Sequence, residues 1–265
     1  MTDAIPILLY HGVDPAEQPP DLAPYVVTPG RFAEHMDLLV ARGHRTVTVS
    51  DLVDELADGR RPDPGTVLVT FDDGLAGFGS HAWPILTARD IAATLYVACG
   101  YVGARAEWLS PLGPPPAMLS WDEICELDLD GCEIGAHSWS HPELDTLTST
   151  ELPHEIRDSR VELCMKLGHP VRSFAYPHGY HSRRVKQAVM QAGYDSACAV
   201  RNLLSSPDDD LFALARVTID ASCGVDELAR ILDGDAVGSA PRRQQARTLG
   251  WRAYRRTRRR LGAPG

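Results

Sequence analysis

Eight short runs rich in β-formers, at 6–9, 46–49, 67–71, 93–98, 133–136, 173–176, 196–200 and 215–219, alternate with stretches whose apolar residues fall at helical spacing. In 29–42 the stripe is Phe32, Met36, Leu39 and Val40; in 151–167 it is Leu152, Ile156, Val161, Leu163 and Leu167. Thr28 ahead of Pro29, and Ser120 ahead of Trp121, Asp122 and Glu123, supply helix N-caps. Alternation sustained this long predicts a parallel sheet with helical crossovers, either open or closed into a barrel. At 265 residues the chain is long enough to bury one large core. The stretch 100–120, dense in glycine and proline, reads as a long loop of the kind that is functional or disordered.

Charge divides the chain in two. The net charge is −10, but nine arginines and no acidic residue follow Asp235, so the first 235 residues carry 17 basic against 36 acidic side chains. An acidic body lacks the broad positive surface that a phosphate backbone demands, and nucleic acid is excluded as a partner. The domain boundary is set near 238, giving one globular domain over 1–237 and a basic tail over 238–265. Residues 241–261 set Leu249, Trp251, Tyr254 and Leu261 among the arginines, a composition suited to an anionic membrane surface or to a plain solubilising tail. The six cysteines form no CxxC pair, and Cys99 and Cys198 lie in apolar stretches that suit buried free thiols. The first residues lack the pattern of a signal peptide, and no apolar run nears the roughly 20 residues of a membrane span. The expected location is the cytoplasm, and on the membrane reading of the tail the inner membrane face.

Two motifs carry chemistry. In VLVTFDDG, 67–74, an apolar strand ends in Asp72 and Asp73; one carboxylate can bind a metal while the other faces a substrate, although an ordinary Asp-Asp-Gly turn would look the same. In EIGAHSWSH, 133–141, His137 and His141 stand four apart after a short strand and can converge on one cation. Two histidines, a carboxylate and an open position make a ligand set for a catalytic divalent metal, which acidifies bound water. Trp139, between the histidines, suits a sugar face or simple packing. Histidines 35, 44, 81, 154 and 169 lie away from strand ends and read as surface residues.

TFDDG at 70–74 and HSWSH at 137–141 resemble the first two motifs of the polysaccharide deacetylases, carbohydrate esterase family 4. Tyr176, Pro177, His178 and Gly179 resemble the third, and the opening LLYHGV resembles the poly-N-acetylglucosamine deacetylase subgroup. The resemblance spans about 5–233. It implies an α/β fold, a distorted (β/α)7 TIM-like barrel with the site at the C-terminal strand ends. It makes Asp73, His137 and His141 the ligands of one divalent metal, zinc first, with cobalt, nickel or manganese also suiting the set. Asp72 becomes the base that deprotonates water, and a backbone N–H near His178 helps hold the oxyanion. Tyr176, Pro177, His178, Gly179 and Trp139 become candidate substrate contacts.

The chain departs from the family twice. Ala175 occupies the place of an arginine that orients the catalytic aspartate, and Arg216 is the expected replacement. No histidine follows His181, so the general acid is sought in His11, which directly follows the first strand, although a structural role would also fit it. The implied activity is hydrolysis of an N-acetyl group from an acetamido sugar: a glycan, a lipid- or nucleotide-linked precursor, or a glycosylated small molecule. A deformylase, a natural-product sugar deacetylase and an inactive carbohydrate-binding homologue share these motifs.

Overall fold

The computed structural model describes residues 4–235; the 238–265 tail and its expected membrane contact lie outside them. The strands are β1 (Ile7–Tyr10), β2 (Gly12–Val13), β3 (Val26–Val27), β4 (Arg45–Thr46), β5 (Thr66–Phe71), β6 (Ala93–Val97), β7 (Glu133–Ala136), β8 (Ser173–Ala175), β9 (Ser196–Cys198) and β10 (Val217–Thr218). One sheet runs β10-β1-β5-β6-β7-β8-β9, with β4 beside the start of β5, and every pairing in it is parallel. Its edges nearly meet: Leu214 takes and gives backbone hydrogen bonds to Ala199 and Ala197, and the Arg216 carbonyl accepts from Asn202. The result is the curled (β/α) barrel expected from the motifs.

The α-helices are α1 (Pro29–Ala41), α2 (Val49–Ala57), α3 (Trp83–Thr87), α4 (Trp121–Leu129), α5 (Ser159–Leu167), α6 (Arg183–Gln191) and α7 (Val225–Leu232), with short 3-10 and π-helical turns between elements. Thr28 and Ser120 cap α1 and α4 as expected, the latter in a reciprocal pair with Glu123. The strand expected at 46–49 is shorter. Thr48 and Asp51 form a capping box, so the chain turns into α2 at Val49. Helix α2 closes the N-terminal end of the barrel, where Val49, Leu52 and Val53 pack on Ile7, Leu68 and Tyr96.

The period-two alternation of strands assigns each residue a side. On β5, Val67, Val69 and Phe71 join the outer core under the helices, while Leu68 joins the inner cluster and Thr70 bonds across to the Leu8 carbonyl. On β7, Ile134 and Ala136 are outer, which leaves Gly135 and then His137 facing inward. A Cβ at Gly135 would stand 2.5 Å from the Tyr96 ring, so the interior is filled to contact at this level.

Helix α1 corrects one expectation. His35 is not at the surface but fully buried, and Val40 is 52% exposed. The His35 ring bridges the Tyr10 hydroxyl at 3.1 Å and the Cys223 carbonyl at 3.1 Å. A carbonyl only accepts, so Nε2 carries the proton and Nδ1 accepts from Tyr10. Val161 is likewise exposed, because a π-helical turn, His154–Asp158, precedes α5 and shifts the stripe. All six cysteines are free. No helix among the described residues is long and apolar enough to cross a membrane.

Candidate active site and metal centre

The inward register of β5 carries Asp72 into the barrel mouth one step beyond Phe71. By alternation Asp73 would turn away. Its φ of +80° turns it back, so both carboxylates serve one site. Aspartate tolerates this region better than most residues. The segment after β7 uses the same device twice: Ser138 at φ +67° and His141 at +59° fold five residues into a tight loop that returns the second histidine to the first. The Ser138 hydroxyl accepts from the His141 N–H at 3.0 Å and closes the loop.

The Nε2 atoms of His137 and His141 lie 3.6 and 3.3 Å from Asp73 Oδ1. All three side chains are buried, and their ligand atoms fall within 4.8 Å of one another. Tetrahedral bonds of about 2.0–2.2 Å separate ligand atoms by about 3.4 Å, so the spacing fits a divalent cation. Asp73 Oδ1 is buried yet receives no hydrogen bond, so the histidine nitrogens are near without donating to it. The three atoms are spaced as the ligands of one cation are. His137 donates Nδ1–H to the Ala175 carbonyl at 2.9 Å, which leaves the Nε2 lone pair for a metal. Burial, aided by His141, pulls the His137 pKa to about 4 against the opposing carboxylates, so the ring is neutral at neutral pH. Burial pushes the Asp73 carboxyl up, but the surrounding histidines, His141 foremost, bring it well below the usual range. The donor set suits zinc and its borderline neighbours.

Beside this cluster lies a buried ion pair. Arg216 donates through both terminal nitrogens to Asp72, at 2.6 and 2.7 Å. It also donates to Thr70 Oγ and the Ala199 carbonyl, each at 3.3 Å, and its guanidinium lies over the Tyr96 ring. Arg216 precedes β10 and sits low in the barrel, so its long side chain runs up the interior to reach the strand end. Burial pushes Asp72 up; Arg216 and His137 outweigh it, and the carboxyl ends below its ordinary value. Asp72 therefore stays ionised although it is 3% exposed.

The remaining candidates are placed unevenly. His11 stands edge-on to Tyr25 at the mouth, close enough for its charge to act on both aspartates. His178, at φ +57°, is exposed and meets the His141 ring edge-on at 4.7 Å. Tyr176 and Pro177 are buried; the Tyr176 hydroxyl donates to the Phe212 carbonyl, so the pair braces the turn and presents no surface to a ligand. A Cβ at Gly179 would meet the Val200 backbone at 2.7 Å, which fixes that turn tightly. Trp139 packs on His154 and against Gly100. The indole that lines the metal cluster is instead Trp108, stacked on His141 at 4.7 Å and 19°. The sequence signal for it was a tryptophan within the glycine- and proline-rich loop.

A family model described as polysaccharide deacetylase matches residues 59–197, just over half the chain. The chain belongs to the polysaccharide deacetylase family. It is 25% identical over 215 residues to YxkH of Bacillus subtilis (strain 168), named as a polysaccharide deacetylase, covering 81% of this chain and 71% of that protein. It is 25% identical over 174 residues to the chitin deacetylase of Amylomyces rouxii, covering 65% of this chain but only 36% of that longer protein. Among solved structures it superposes on the Streptococcus pyogenes deacetylase PplD, determined with acetate, at a TM-score of 0.75 and 24% identity; the match covers 86% of this polysaccharide deacetylase and 98% of that chain. The last comparison establishes the shared fold.

Proposed function

We propose that this family member is a metal-dependent hydrolase that removes the N-acetyl group from an acetamido sugar. The observation that carries it is the buried Asp73, His137 and His141 cluster, with its unpartnered carboxylate oxygen, set beside an aspartate held ionised by Arg216. A divalent cation held by those three residues supplies Lewis acidity, acidifying water and polarising an amide carbonyl. Asp72 takes the proton from the attacking water, and the two-pronged grip of Arg216 fixes the direction of its free lone pairs. The oxyanion role is assigned to a backbone N–H near His178, on the turn that the third motif forms. His11, at the mouth, returns a proton to the departing amine. The exposed His178 and the Trp108 face border the space left for the sugar. The chitin deacetylase relative supports a glycan of N-acetylglucosamine type as substrate. The basic stretch 241–261 supports contact with an anionic membrane, where a lipid-linked sugar precursor would be met.

The test is acetate release from N-acetylglucosamine oligomers and from UDP-N-acetylglucosamine, before chelation, after it, and with zinc restored. Release that falls with chelator and returns with zinc supports the reading, and the better substrate separates glycan from precursor. Metal bound in stoichiometric amount with no acyl release from acetylated or formylated sugars would refute it.

A further inference from the structure

The loop joining His137 to His141 holds two residues in the left-handed region and carries its polar backbone groups into a half-buried setting. Such a loop keeps its shape only where neighbours over-determine it. Two contacts come from the end of β6: the Cys99 N–H donates to the Ser138 carbonyl and the Gly100 N–H to the Trp139 carbonyl, at 3.2 and 2.8 Å. The loop's own donors at its apex all go to one side chain. Glu155 Oε2 accepts from the Trp139 N–H at 3.0 Å and the Ser140 N–H at 2.8 Å, and Oε1 accepts from the Ser140 hydroxyl at 2.6 Å. Glu155 is 7% exposed and stands on the π-helical turn His154–Asp158, anchored by the buried Ile156.

We propose that Glu155 is the positioning residue of the metal centre, clamping the 138–141 loop so that His141 is delivered to Asp73 and His137. This rests on the metal-site reading above. Three donors converge on Glu155, and only an ionised carboxylate accepts all three without presenting a donor of its own. An amide in its place keeps one acceptor for the two N–H groups but gives up the charge that strengthens all three bonds, and the Ser140 hydroxyl must turn round to accept from its NH2. Unpartnered, the loop relaxes toward ordinary backbone angles, and His141, itself at positive φ, moves with it. Second-layer partners of this kind govern affinity because they fix where a ligand atom sits before the metal arrives.

A control lies at the other end of the same strand. Glu133, at the start of β7, accepts from the Ser50 N–H and from the hydroxyls of Ser50, Thr94 and Ser173. It is a comparable carboxylate hub, but it ties α2 to the closed end of the barrel, away from the metal residues.

The experiment measures Co²⁺ and Zn²⁺ affinity of the full chain by competition with a chromophoric chelator. The Co²⁺ visible absorption band and the thermal midpoint are recorded for the unaltered protein, Glu155→Gln, Ser140→Ala and Glu133→Gln. We expect Glu155→Gln to weaken metal binding roughly ten- to a hundredfold and to change the band. Ser140→Ala should shift both in the same direction by less. Glu133→Gln should lower the thermal midpoint while leaving affinity and band as they were. Glu155→Gln binding Co²⁺ as tightly as the unaltered protein, with the same band, would overturn the proposal. So would a loss in Glu133→Gln matching that in Glu155→Gln, because affinity would then follow stability alone. If Glu155→Gln does not fold, Ser140→Ala decides by the same criteria. No stoichiometric metal in the unaltered protein removes the metal-site reading itself, and this proposal with it.

Discussion

Replacing Arg216 with methionine keeps the apolar stem of the side chain and deletes its charge together with the two terminal nitrogens that reach Asp72. Asp72 then stays in the barrel with no cation against it. Arg216 is 0% and Asp72 3% exposed, so water cannot stand in for the lost partner. Breaking such a pair from one side costs about 3–5 kcal/mol. Thr70 Oγ loses one donor as well, and the Ala199 carbonyl another. Against a total stability of about 5–15 kcal/mol the variant should be severely weakened yet able to fold. The pH dependence has a definite sign. With Arg216 present, the folded Asp72 carboxyl sits below its ordinary value, so the pair contributes stability at neutral pH that is lost as pH falls through the acid range. Without Arg216, burial acts unopposed by it and drives the carboxyl upward, so the folded state is penalised as pH rises above about 4. The deficit should therefore be larger at pH 8 than at pH 5. Adding Asp72→Asn should recover part of it, since the unpaired charge is gone. Urea unfolding in chelator, followed by tryptophan fluorescence and far-ultraviolet circular dichroism, measures each quantity. A loss under about 1 kcal/mol, or one unchanged between the two pH values, would refute a buried pair of this kind.

Asp72→Asn alone should lower acetate release by several orders of magnitude while metal content stays stoichiometric; loss of metal in that variant would mean that the roles of Asp72 and Asp73 are exchanged. His11→Ala should lower kcat and leave metal content alone, and unchanged kcat would remove it as the acid. His35 has its pKa lowered by burial, with the Arg31 charge helping and the Cys223 carbonyl opposing. A lowered histidine contributes stability above its unfolded value of about 6.5 and loses it as pH falls below, so His35→Gln should flatten the acid-side decline in thermal midpoint between pH 7 and 5. Deleting 238–265 should leave turnover of soluble oligomers unchanged and weaken binding to phosphatidylserine vesicles; equal binding by both forms would end the membrane assignment.

How far the chain could be read without coordinates varied with the physics involved. The two motifs were legible as acids and histidines at strand ends, but their direction was not: period-two geometry turns Asp72 and His137 inward only once the strands' buried faces are known. Asp73 was not derivable that way, since its direction depends on one positive φ that no periodicity encodes. His35 was readable and missed: with Phe32, Met36 and Leu39 it completes the i, i+3, i+4, i+7 face that Val40 falls outside. Arg216 lay in plain view as a charge inside an apolar strand, but only the resemblance supplied a reason for it. In the 151–167 stretch the π-helical turn adds a residue, so the assumed spacing put Val161 inward, and Glu155 passed as an ordinary polar residue. Trp108 reaches His141 through tertiary packing of a loop, for which no periodic signal exists.

Strands β1 and β10 lie side by side, and the Arg216–Asp72 contact joins positions 144 residues apart. During synthesis His11 and both aspartates emerge long before the arginine that steadies them. A nascent chain stopped short of residue 216 has no cation to hold Asp72 inside, so that carboxylate must either take a proton or keep the sheet open to water. Competence for hydrolysis is thus withheld until the last strand is laid against the first, a long-range closure that folds late. A fragment ending before residue 216 should carry both conspicuous motifs and release no acetate.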